Sequence, residues 1–379
     1  MKTFPARVPH ALGDPTRLRI GLIAPPVVPL PPPAYSGTER IVALLAVGLH
    51  ERGHTVTVFA SGDSELPCEV VPVVPRALWR EGRTGNLATY HQMAVARAWE
   101  EVDRFDILHS HVDSEGFLLA RHAPIPVVTT LHRRADSGGL PGYIDLLPSI
   151  PLVSISESQR RWNPDANWVA NIHHGLDFSA TPAGSRPGDH LLLVGRLTRE
   201  KGVEEAIELA RRTGRRLVIA AKAHQPDEKA LFESTVRPAI EQGIVDWQGE
   251  VDTATRDRLM IGALATLMLG AWPEPFGLVA IESMATGTPV IARRVGGLTE
   301  TIEHGVTGFL VDDLDEAELA VSRAASLPRD RIARLTRERF EAGRMIDEYE
   351  ALFQRLVSPG VAHEDGLGHE LLVEATTSA

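Results

Sequence analysis

The apolar residues of this chain alternate between short continuous runs and the spacing of one helix face. Residues 17–24, 54–60 and 191–197 are continuous runs of the length expected for buried strands. Residues 41–52 and 202–212 place apolar side chains every three or four positions, which predicts amphipathic helices. Strands that alternate with helices in this way predict an α/β fold with doubly wound parallel sheets.

The predicted strands form two sets, one on each side of a short segment without periodicity. The first set comprises residues 17–24, 54–60, 69–73, 106–111, 126–132, 151–156 and 169–177. The second set comprises residues 191–197, 216–221, 245–249, 265–270, 289–295 and 309–312. Residues 137–142, between two strands of the first set, are Gly-rich and predict a turn.

This division predicts two domains, which also suits a length of 379 residues. We assign the first domain to 17–178, a linker to 179–189, the second domain to 190–343, and a helix that packs back towards the first domain to 344–358. Met345, Tyr349, Leu352 and Phe353 share one face of that helix. Residues 1–16 are expected to be a flexible leader and 359–379 a disordered tail.

Composition narrows the classes of function. A formal net charge of −11 disfavours nucleic acid as a partner. The single cysteine, Cys68, excludes an intramolecular disulfide and a Cys-cluster metal site. The sequence has no apolar run near the roughly 20 residues that span a bilayer, and we expect neither a secretion signal nor a transmembrane segment. These features predict a cytoplasmic protein, and the preference for Arg over Lys favours a bacterial source.

The stretch 271–292 carries the strongest chemical signal. Pro273 and Pro275 keep the chain extended after a predicted strand, and Gly277 permits a turn into a helix. The first backbone N–H groups of that helix, at Gly277, Leu278 and Val279, form a site for an anion. Glu274 and Glu282 suit ligand hydroxyls, which carboxylates accept, so a sugar nucleotide would satisfy both features. The alternative is that both acids are solvated.

Three further groups follow predicted strands and would meet at the carboxyl edge of a sheet. Gly37 lies at a helix start, but the Gly-x-Gly-x-x-Gly pattern of a dinucleotide dehydrogenase is missing. His111 ends the strand 106–111, and His109 and His132 are expected to lie near it. Arg196 and Lys201 follow Gly195 in a strand-to-helix turn, where they could hold a diphosphate or be a solvated basic turn.

These motifs together resemble the retaining glycosyltransferases of family 4. The matching segments are Gly195-Arg-Leu-x-x-x-Lys-Gly202, Glu274-Pro-Phe-Gly-x-x-x-x-Glu282, Gly287-Thr-Pro-Val, Gly296-Gly-x-x-Glu300 and Gly305-x-x-Gly-Phe-Leu-Val. The resemblance is strong over 190–313 and weaker over 17–60 and 106–177. It implies the GT-B fold, in which two Rossmann-like domains face a cleft, and a nucleotide-activated sugar donor without an essential metal or cofactor.

The resemblance also implies residue roles. Arg196 and Lys201 would bind the donor diphosphate, assisted by Gly195 and by the N–H groups of Gly277, Leu278 and Val279. Glu282 would bind the ribose, Glu274 the sugar hydroxyls and His111 the donor sugar. Gly37 would allow the phosphates to approach from the first domain. Retention would proceed by front-face transfer, because the sequence offers no convincing nucleophile.

The sequence departs from the family at two points and leaves several alternatives open. Ser36-Gly37 stands where two glycines are common, and His174-Gly175 stands where Asn-Gly is usual. A catalytically silent nucleotide-sugar-binding protein, an epimerase and a phosphorylase remain alternatives. A phosphorylase usually needs a pyridoxal lysine, for which the sequence shows no motif, and Lys222 is a candidate only by its position after a strand. A UDP-sugar is the favoured donor, and GDP- and ADP-sugars stay open. The acceptor could be a saccharide, a small molecule or lipid-linked, with peripheral membrane contact and the oligomeric state left open.

Overall fold

The structure is a computed structural model that describes residues 17–34, 36–83 and 85–358, apart from the side chain of Leu119. The predicted leader and tail lie outside these residues. The strands are β1 Arg19–Ile23, β2 Thr55–Ser61, β3 Glu69–Val74, β4 Ile107–Ser110, β5 Val127–Thr130, β6 Leu152–Ser154, β7 Trp168–Asn171, β8 His190–Arg196, β9 Leu217–Lys222, β10 Val245–Trp247, β11 Ala263–Met268, β12 Val290–Arg293 and β13 Gly308–Val311.

Helices connect these strands throughout. They are α1 Gly37–Glu51, α2 Leu87–Glu100, α3 Phe117–Arg121, α4 Leu140–Leu146, α5 Glu157–Arg160, α6 Val203–Thr213, α7 Pro226–Leu231, α8 Arg237–Glu241, α9 Thr253–Gly262, α10 Leu278–Ala285, α11 Leu298–Thr301, α12 Leu314–Ala324, α13 Arg329–Phe340 and α14 Ala342–Val357. Short 3₁₀ turns cover Leu78–Glu81, Val102–Arg104, Asp113–Gly116 and Arg199–Lys201, and a π-helical turn covers Phe232–Val236.

The strands form two wholly parallel sheets. The seven-stranded sheet has the order β3-β2-β1-β4-β5-β6-β7, and the six-stranded sheet has the order β10-β9-β8-β11-β12-β13. The strand order reverses between β1 and β4 in the first sheet and between β8 and β11 in the second, and ligands bind outside the carboxyl ends at such points. The predicted α/β fold with two doubly wound sheets is therefore confirmed.

The two sheets are joined where the chain crosses between them. Strand β7 ends at Asn171, earlier than the predicted 177, because the chain leaves the sheet there. Leu176 instead pairs with Glu341, between α13 and α14: its N–H donates to the Phe340 carbonyl oxygen at 2.9 Å, and its own carbonyl oxygen accepts from the Ala342 N–H at 3.0 Å. A Cβ on Gly175 would lie 2.7 Å from the Glu341 carbonyl oxygen, so only glycine fits beside the returning chain.

Helix α14 packs against the first sheet through its apolar face. Met345, Tyr349, Leu352 and Phe353 are all buried. The Tyr349 hydroxyl lies 2.9 Å from Thr130 Oγ1 at the end of β5. These contacts place a helix from the end of the chain under the carboxyl edge of the first sheet.

The segment predicted as a Gly-rich turn is partly helical. Helix α4 begins at Leu140 with Pro141 in its first turn, where the missing N–H of proline costs nothing. The turn prediction for 137–142 was therefore wrong over its second half, because glycines that favour a turn also precede a helix start.

The loops of the second sheet approach one another without side chains between them. A Cβ on Gly270, after β11, would lie 1.8 Å from the Glu200 carbonyl oxygen, and a Cβ on Gly202 would lie 2.3 Å from the Gly270 nitrogen. The turn that carries Lys201 therefore rests directly on the backbone after β11.

We predict that Gly270→Ala lowers the free energy of unfolding by about 1–3 kcal/mol, because the added methyl group must push two backbone segments apart. Gly343→Ala is the matched control, since no atom lies within 4 Å of its Cβ position in α14. The control should be neutral or gain up to about 1 kcal/mol. Urea unfolding of both variants checks this, and equal stability of Gly270→Ala and wild type would show that the loops are not in tight contact.

Candidate functional site

A crevice opens where β8 and β11 diverge at their carboxyl ends. It encloses about 600 Å³ of open space and is lined by Leu193, Val194, Gly195, Arg196, Glu200, Lys201, Leu267, Met268, Gly270, Trp272, Glu274, Val279 and Leu298. We call it the first crevice. Five residues predicted from the sequence, Gly195, Arg196, Lys201, Glu274 and Val279, thus come together at one site.

The start of α10 forms one wall of the first crevice. Gly277 precedes the helix with φ +99°, a conformation that residues with a side chain rarely adopt. A Cβ there would also lie 2.6 Å from Leu298 Cδ2. The first N–H groups of the helix have no partner within the helix and add a partial positive charge.

Two glycines fix the loop that carries Glu274. The Gly297 N–H donates to the Glu274 carbonyl oxygen at 2.7 Å. A Cβ on Gly296 would lie 2.4 Å from that same oxygen. Glu274 itself forms an ion pair with Lys201, and the two side chains are 17% and 32% exposed. The pair therefore faces the open part of the crevice, where a ligand can reach both members.

Arg196 lies at the mouth of the first crevice and is held by Glu228. Its Nε and Nη2 donate to Glu228 Oε1 at 2.9 and 2.8 Å. Burial acts to raise the pKa of Glu228, but hydrogen bonds from Arg196 and from the Gln225 and His224 N–H groups lower it below its ordinary value. Glu228 is therefore a carboxylate that orients an arginine whose side chain is 59% exposed.

Glu282 is almost fully buried in α10 and contacts two arginines. Arg256 Nη1 donates to its Oε1 at 2.6 Å, and Arg40 of α1 forms an ion pair with the same oxygen. The second oxygen, Oε2, is buried without a hydrogen-bond partner among the described residues. Neither arginine was predicted from the sequence; the available signal was the position of Arg40 just before the predicted helix 41–52 and three residues after Gly37.

The start of α1 faces the start of α10. A Cβ on Gly37 would lie 3.4 Å from Leu278 Cδ1, in ordinary van der Waals contact. Ser36, which precedes the helix, donates a hydrogen bond to Glu39. Burial raises the pKa of Glu39, although that hydrogen bond opposes the shift. Two helix N-termini, one from each sheet, thus converge beside Glu282.

A second crevice meets the first at Val194 and Gly195. It is lined by Ala34, Val194, Gly195, Ala220, Ala221, Lys222, Glu250, Val251, Asp252, Thr253 and Arg256, with an open volume of about 440 Å³. No atom lies within 4 Å of a Cβ built on Gly195, whose φ is +148°. A ligand can therefore pass from one crevice to the other directly over the Gly195 backbone.

His111 lies in a cluster of four imidazoles, of which His109, His111 and His174 are buried and His132 is partly exposed. Its Nδ1 lies 2.8 Å from His132 Nε2, while its Nε2 has no partner among the described residues. His132 stacks on His174 at 5.2 Å between ring centroids, and His174 meets the edge of Phe276 at 5.2 Å. We call this row the histidine ladder; it separates His111 from Gly277 by two imidazoles and a phenyl ring.

The imidazoles of the histidine ladder are neutral at physiological pH. Burial lowers the pKa of His109 and of His132 to about 3 each. It also lowers the pKa of His111 and of His174 well below the ordinary value, assisted by neighbouring imidazoles. The ladder therefore acts through packing and neutral hydrogen bonds.

We predict that the free energy of unfolding falls as the pH drops from about 6.5 to 3. In that range the unfolded chain binds protons on histidines that the folded chain keeps neutral, so protonation favours unfolding. In His109→Gln, the slope of the free energy of unfolding against pH should be smaller than in the wild type by up to about 1.4 kcal/mol per pH unit. Above pH 7 the curves of the variant and the wild type should be parallel. Urea titrations at several pH values check this; identical slopes below pH 6 would contradict the shifted pKa of His109.

The described residues contain neither a group of side chains that could hold a metal ion nor a helix that could span a membrane. Within residues 17–34, 36–83 and 85–358, no group of three His, Cys, Asp or Glu side chains could hold a metal ion. The helices in these ranges are also too short or too polar to cross a membrane.

Comparison with known proteins defines the class. Residues 186–342 match the family described as glycosyl transferases group 1, and residues 35–177 match Glycosyltransferase Family 4. Glycogen synthase of Mycobacterium tuberculosis is 30% identical over 353 residues, which cover 77% of this chain and 82% of that protein. D-inositol 3-phosphate glycosyltransferase of Mycolicibacterium smegmatis is 27% identical over 367 residues, covering 83% and 85%.

The fold comparison agrees. Anabaena HepE, solved in complex with UDP and glucose, superposes with a TM-score of 0.69 at 18% sequence identity. The superposition covers 88% of this chain and 99% of HepE. The protein is thus a glycosyltransferase with the GT-B fold. The chain belongs to glycosyltransferase family 4, as the sequence motifs predicted.

Proposed function

We propose that the protein is a retaining, metal-independent glycosyltransferase that moves a sugar from a nucleoside-diphosphate donor to an acceptor hydroxyl. One observation carries this proposal: two cations and two helix N-termini converge on the first crevice and its border with the second. Arg196 and Lys201 line the first crevice, and the starts of α1 and α10 face each other beside it. Each cation has a carboxylate partner, Glu228 for Arg196 and Glu274 for Lys201, so a diphosphate would bind here by replacing a carboxylate or by sharing the cation with it, next to the helix N–H groups.

The diphosphate would bind across Gly195 to Arg196, Lys201 and the N–H groups of Gly277, Leu278 and Val279. The negative charge on the diphosphate increases as the bond to the sugar breaks, so fixed cations and helix N–H groups stabilise the transition state more than the ground state. Gly37 lets the start of α1 approach from the other side. These groups supply the charge compensation that a metal ion would otherwise provide, which supports metal independence.

Donor binding would exchange partners at the Lys201–Glu274 pair. The diphosphate takes the place of the carboxylate at Lys201, and Glu274 then accepts hydrogen bonds from hydroxyls of the donor sugar. The pair is half-exposed and lines the crevice, so the exchange needs only side-chain movement. Both charges remain compensated before and after binding.

The nucleoside would occupy the second crevice. Val194, Ala220, Ala221 and Val251 provide apolar surface for a flat base, beside an ion pair between Lys222 and Glu250 at 2.9 Å. Arg256 lines this crevice and also binds Glu282, so the ribose between base and diphosphate would lie near Glu282 Oε2. A UDP-sugar is the favoured donor, in line with the UDP bound to HepE.

Retention would follow from front-face transfer. The acceptor oxygen forms its bond to the anomeric carbon on the side that the diphosphate leaves, and the hydroxyl proton passes to the departing phosphate oxygen. With the donor bound, Glu274 would accept hydrogen bonds from sugar hydroxyls rather than attack the anomeric carbon, which favours this route over a double displacement. His111 is buried and lines neither crevice, but its Nε2 has no partner among the described residues, and we propose that it contacts the donor sugar.

We predict that Lys201→Met and Glu274→Gln each lower transfer at least about a hundredfold, because each removes a group that stabilises the transition state. Release of UDP from UDP-glucose measures the rate, with NMR of the product to establish anomeric configuration and added EDTA to test for a metal. Glu338→Gln breaks an exposed ion pair with Arg334 and should keep full activity. Full activity of both crevice variants would refute the site assignment, and loss of activity in EDTA would refute metal independence.

We predict that UDP raises the thermal midpoint of the wild-type protein more than GDP, ADP or dTDP does. A ligand at 100 times its Kd stabilises the folded state by about 2.7 kcal/mol. A thermal-shift series with the four nucleotides and their glucose conjugates measures this. A larger shift with GDP or ADP would change the donor, and no shift with any of them would contradict the proposed function.

A further inference from the structure

Two exposed tryptophans and an arginine form a cluster beside the first crevice. The Arg134 guanidinium carbon lies 4.9 Å from the ring centre of Trp162 and 4.3 Å from that of Trp272. Trp162 follows α5 and Arg134 follows β5, both on the side of the first sheet, whereas Trp272 follows β11 of the second sheet. We call these three residues the tryptophan cluster; it is assembled only where the two domains meet.

The indole rings of the tryptophan cluster are open to ligands. Trp162 is 45% and Trp272 36% exposed, although large apolar side chains are usually covered. An indole presents a flat apolar face together with an N–H donor, and pairs well with a ligand that is apolar on one face and polar at its edge. The C–H face of a sugar ring has this character.

Trp272 connects the cluster to the donor site. It lines the first crevice together with Arg196, Lys201 and Glu274. A ring held against the tryptophan cluster would therefore lie next to the sugar that is transferred, where the acceptor of the reaction must bind.

The charges around the cluster are balanced in pairs. Arg134 binds both oxygens of Asp136, through Nε at 2.8 Å to Oδ1 and through Nη2 to Oδ2. The adjacent Arg133 lies 3.4 Å from the Asp113 carboxylate. The formal charges of these two pairs sum to zero, and their guanidinium and carboxylate groups can donate to and accept from the hydroxyls of a neutral ligand.

From these observations we propose that the tryptophan cluster is the acceptor subsite and that it takes the ring of a neutral saccharide. This inference rests on the proposed function and specifies its acceptor class. A saccharide hydroxyl oxygen bonds to the anomeric carbon of the donor, the bond from that carbon to the diphosphate breaks, and the hydroxyl proton goes to the diphosphate. The cluster positions the acceptor and supplies no group to this step.

The test measures transfer from UDP-glucose, or from the glucose conjugate of the nucleotide found to stabilise the protein, to D-glucose, maltose, maltotriose and glucose 6-phosphate. We expect the neutral saccharides to be used and Trp162→Ala and Trp272→Ala to raise their KM at least about tenfold, which corresponds to about 1.4 kcal/mol. Trp162→Tyr and Trp272→Phe, which keep an aromatic face, should restore most of the affinity. Trp79→Ala is the matched control, since Trp79 is 47% exposed on the short turn Leu78–Glu81.

Several outcomes would overturn the inference. An unchanged KM in both alanine variants, an equal loss of affinity in the aromatic variants, or a preference for glucose 6-phosphate over the neutral saccharides would each do so. Calorimetry of nucleotide binding to the wild type separates the two proposals. If the wild type binds no nucleotide, the donor site is contradicted, whereas the tryptophan cluster is not. If the wild type transfers nothing, saturation-transfer NMR with maltotriose and the same variants decides whether the cluster binds a saccharide.

Discussion

The buried carboxylate of Glu282 is the interaction on which the cleft depends. It joins α10 to Arg256 of α9 within one domain and to Arg40 of α1 in the other. A buried charge is stable only with its partners in place, and removal of one partner typically costs about 3–5 kcal/mol. The ion triad therefore holds the starts of α1 and α10 opposite each other. Because Glu282 is also the proposed ribose ligand, domain contact and donor binding share one side chain.

The glycines of the family motifs act mainly through the backbone. Gly202 and Gly270 let the turn of Lys201 rest on the end of β11, and Gly296 and Gly297 let a second loop press against Glu274. Gly195 and Gly305 instead leave open space at their Cβ positions, and Gly195 lies where the two crevices meet, so a ligand can pass over its backbone. The motif thus encodes the packing of three loops that set the distance between Lys201 and Glu274.

Hydrophobic runs were sufficient to predict the strands because parallel strands are buried on both faces. The end of β7 could not be predicted, because the chain leaves the sheet to pair with residues near Ala342, far along the sequence. The start of α4 could not be predicted either, because glycines precede it that are equally compatible with a turn and with a helix start. Lys201 and Glu274 lie in local motifs that the sequence displays. Arg40 could not be found in this way, because its partner Glu282 lies 242 positions along the chain.

The histidine ladder shows how the first domain reaches the donor site without a charge. Neutral His132 and His174 pack between His111 and Phe276, the residue before Gly277, so the ladder connects the end of β4 to the start of α10. His174 occupies the position where the family usually has asparagine, and it fills that place with a stacked ring. Among the described residues, His111 Nε2, His109 Nδ1 and His174 Nδ1 are all buried without a hydrogen-bond partner, and a buried polar atom in that state costs about 1–3 kcal/mol. His111 differs from the other two in its position directly after the carboxyl end of β4, and a hydrogen bond between its Nε2 and a hydroxyl of the donor sugar would recover that cost in the bound state, in keeping with the role proposed for it.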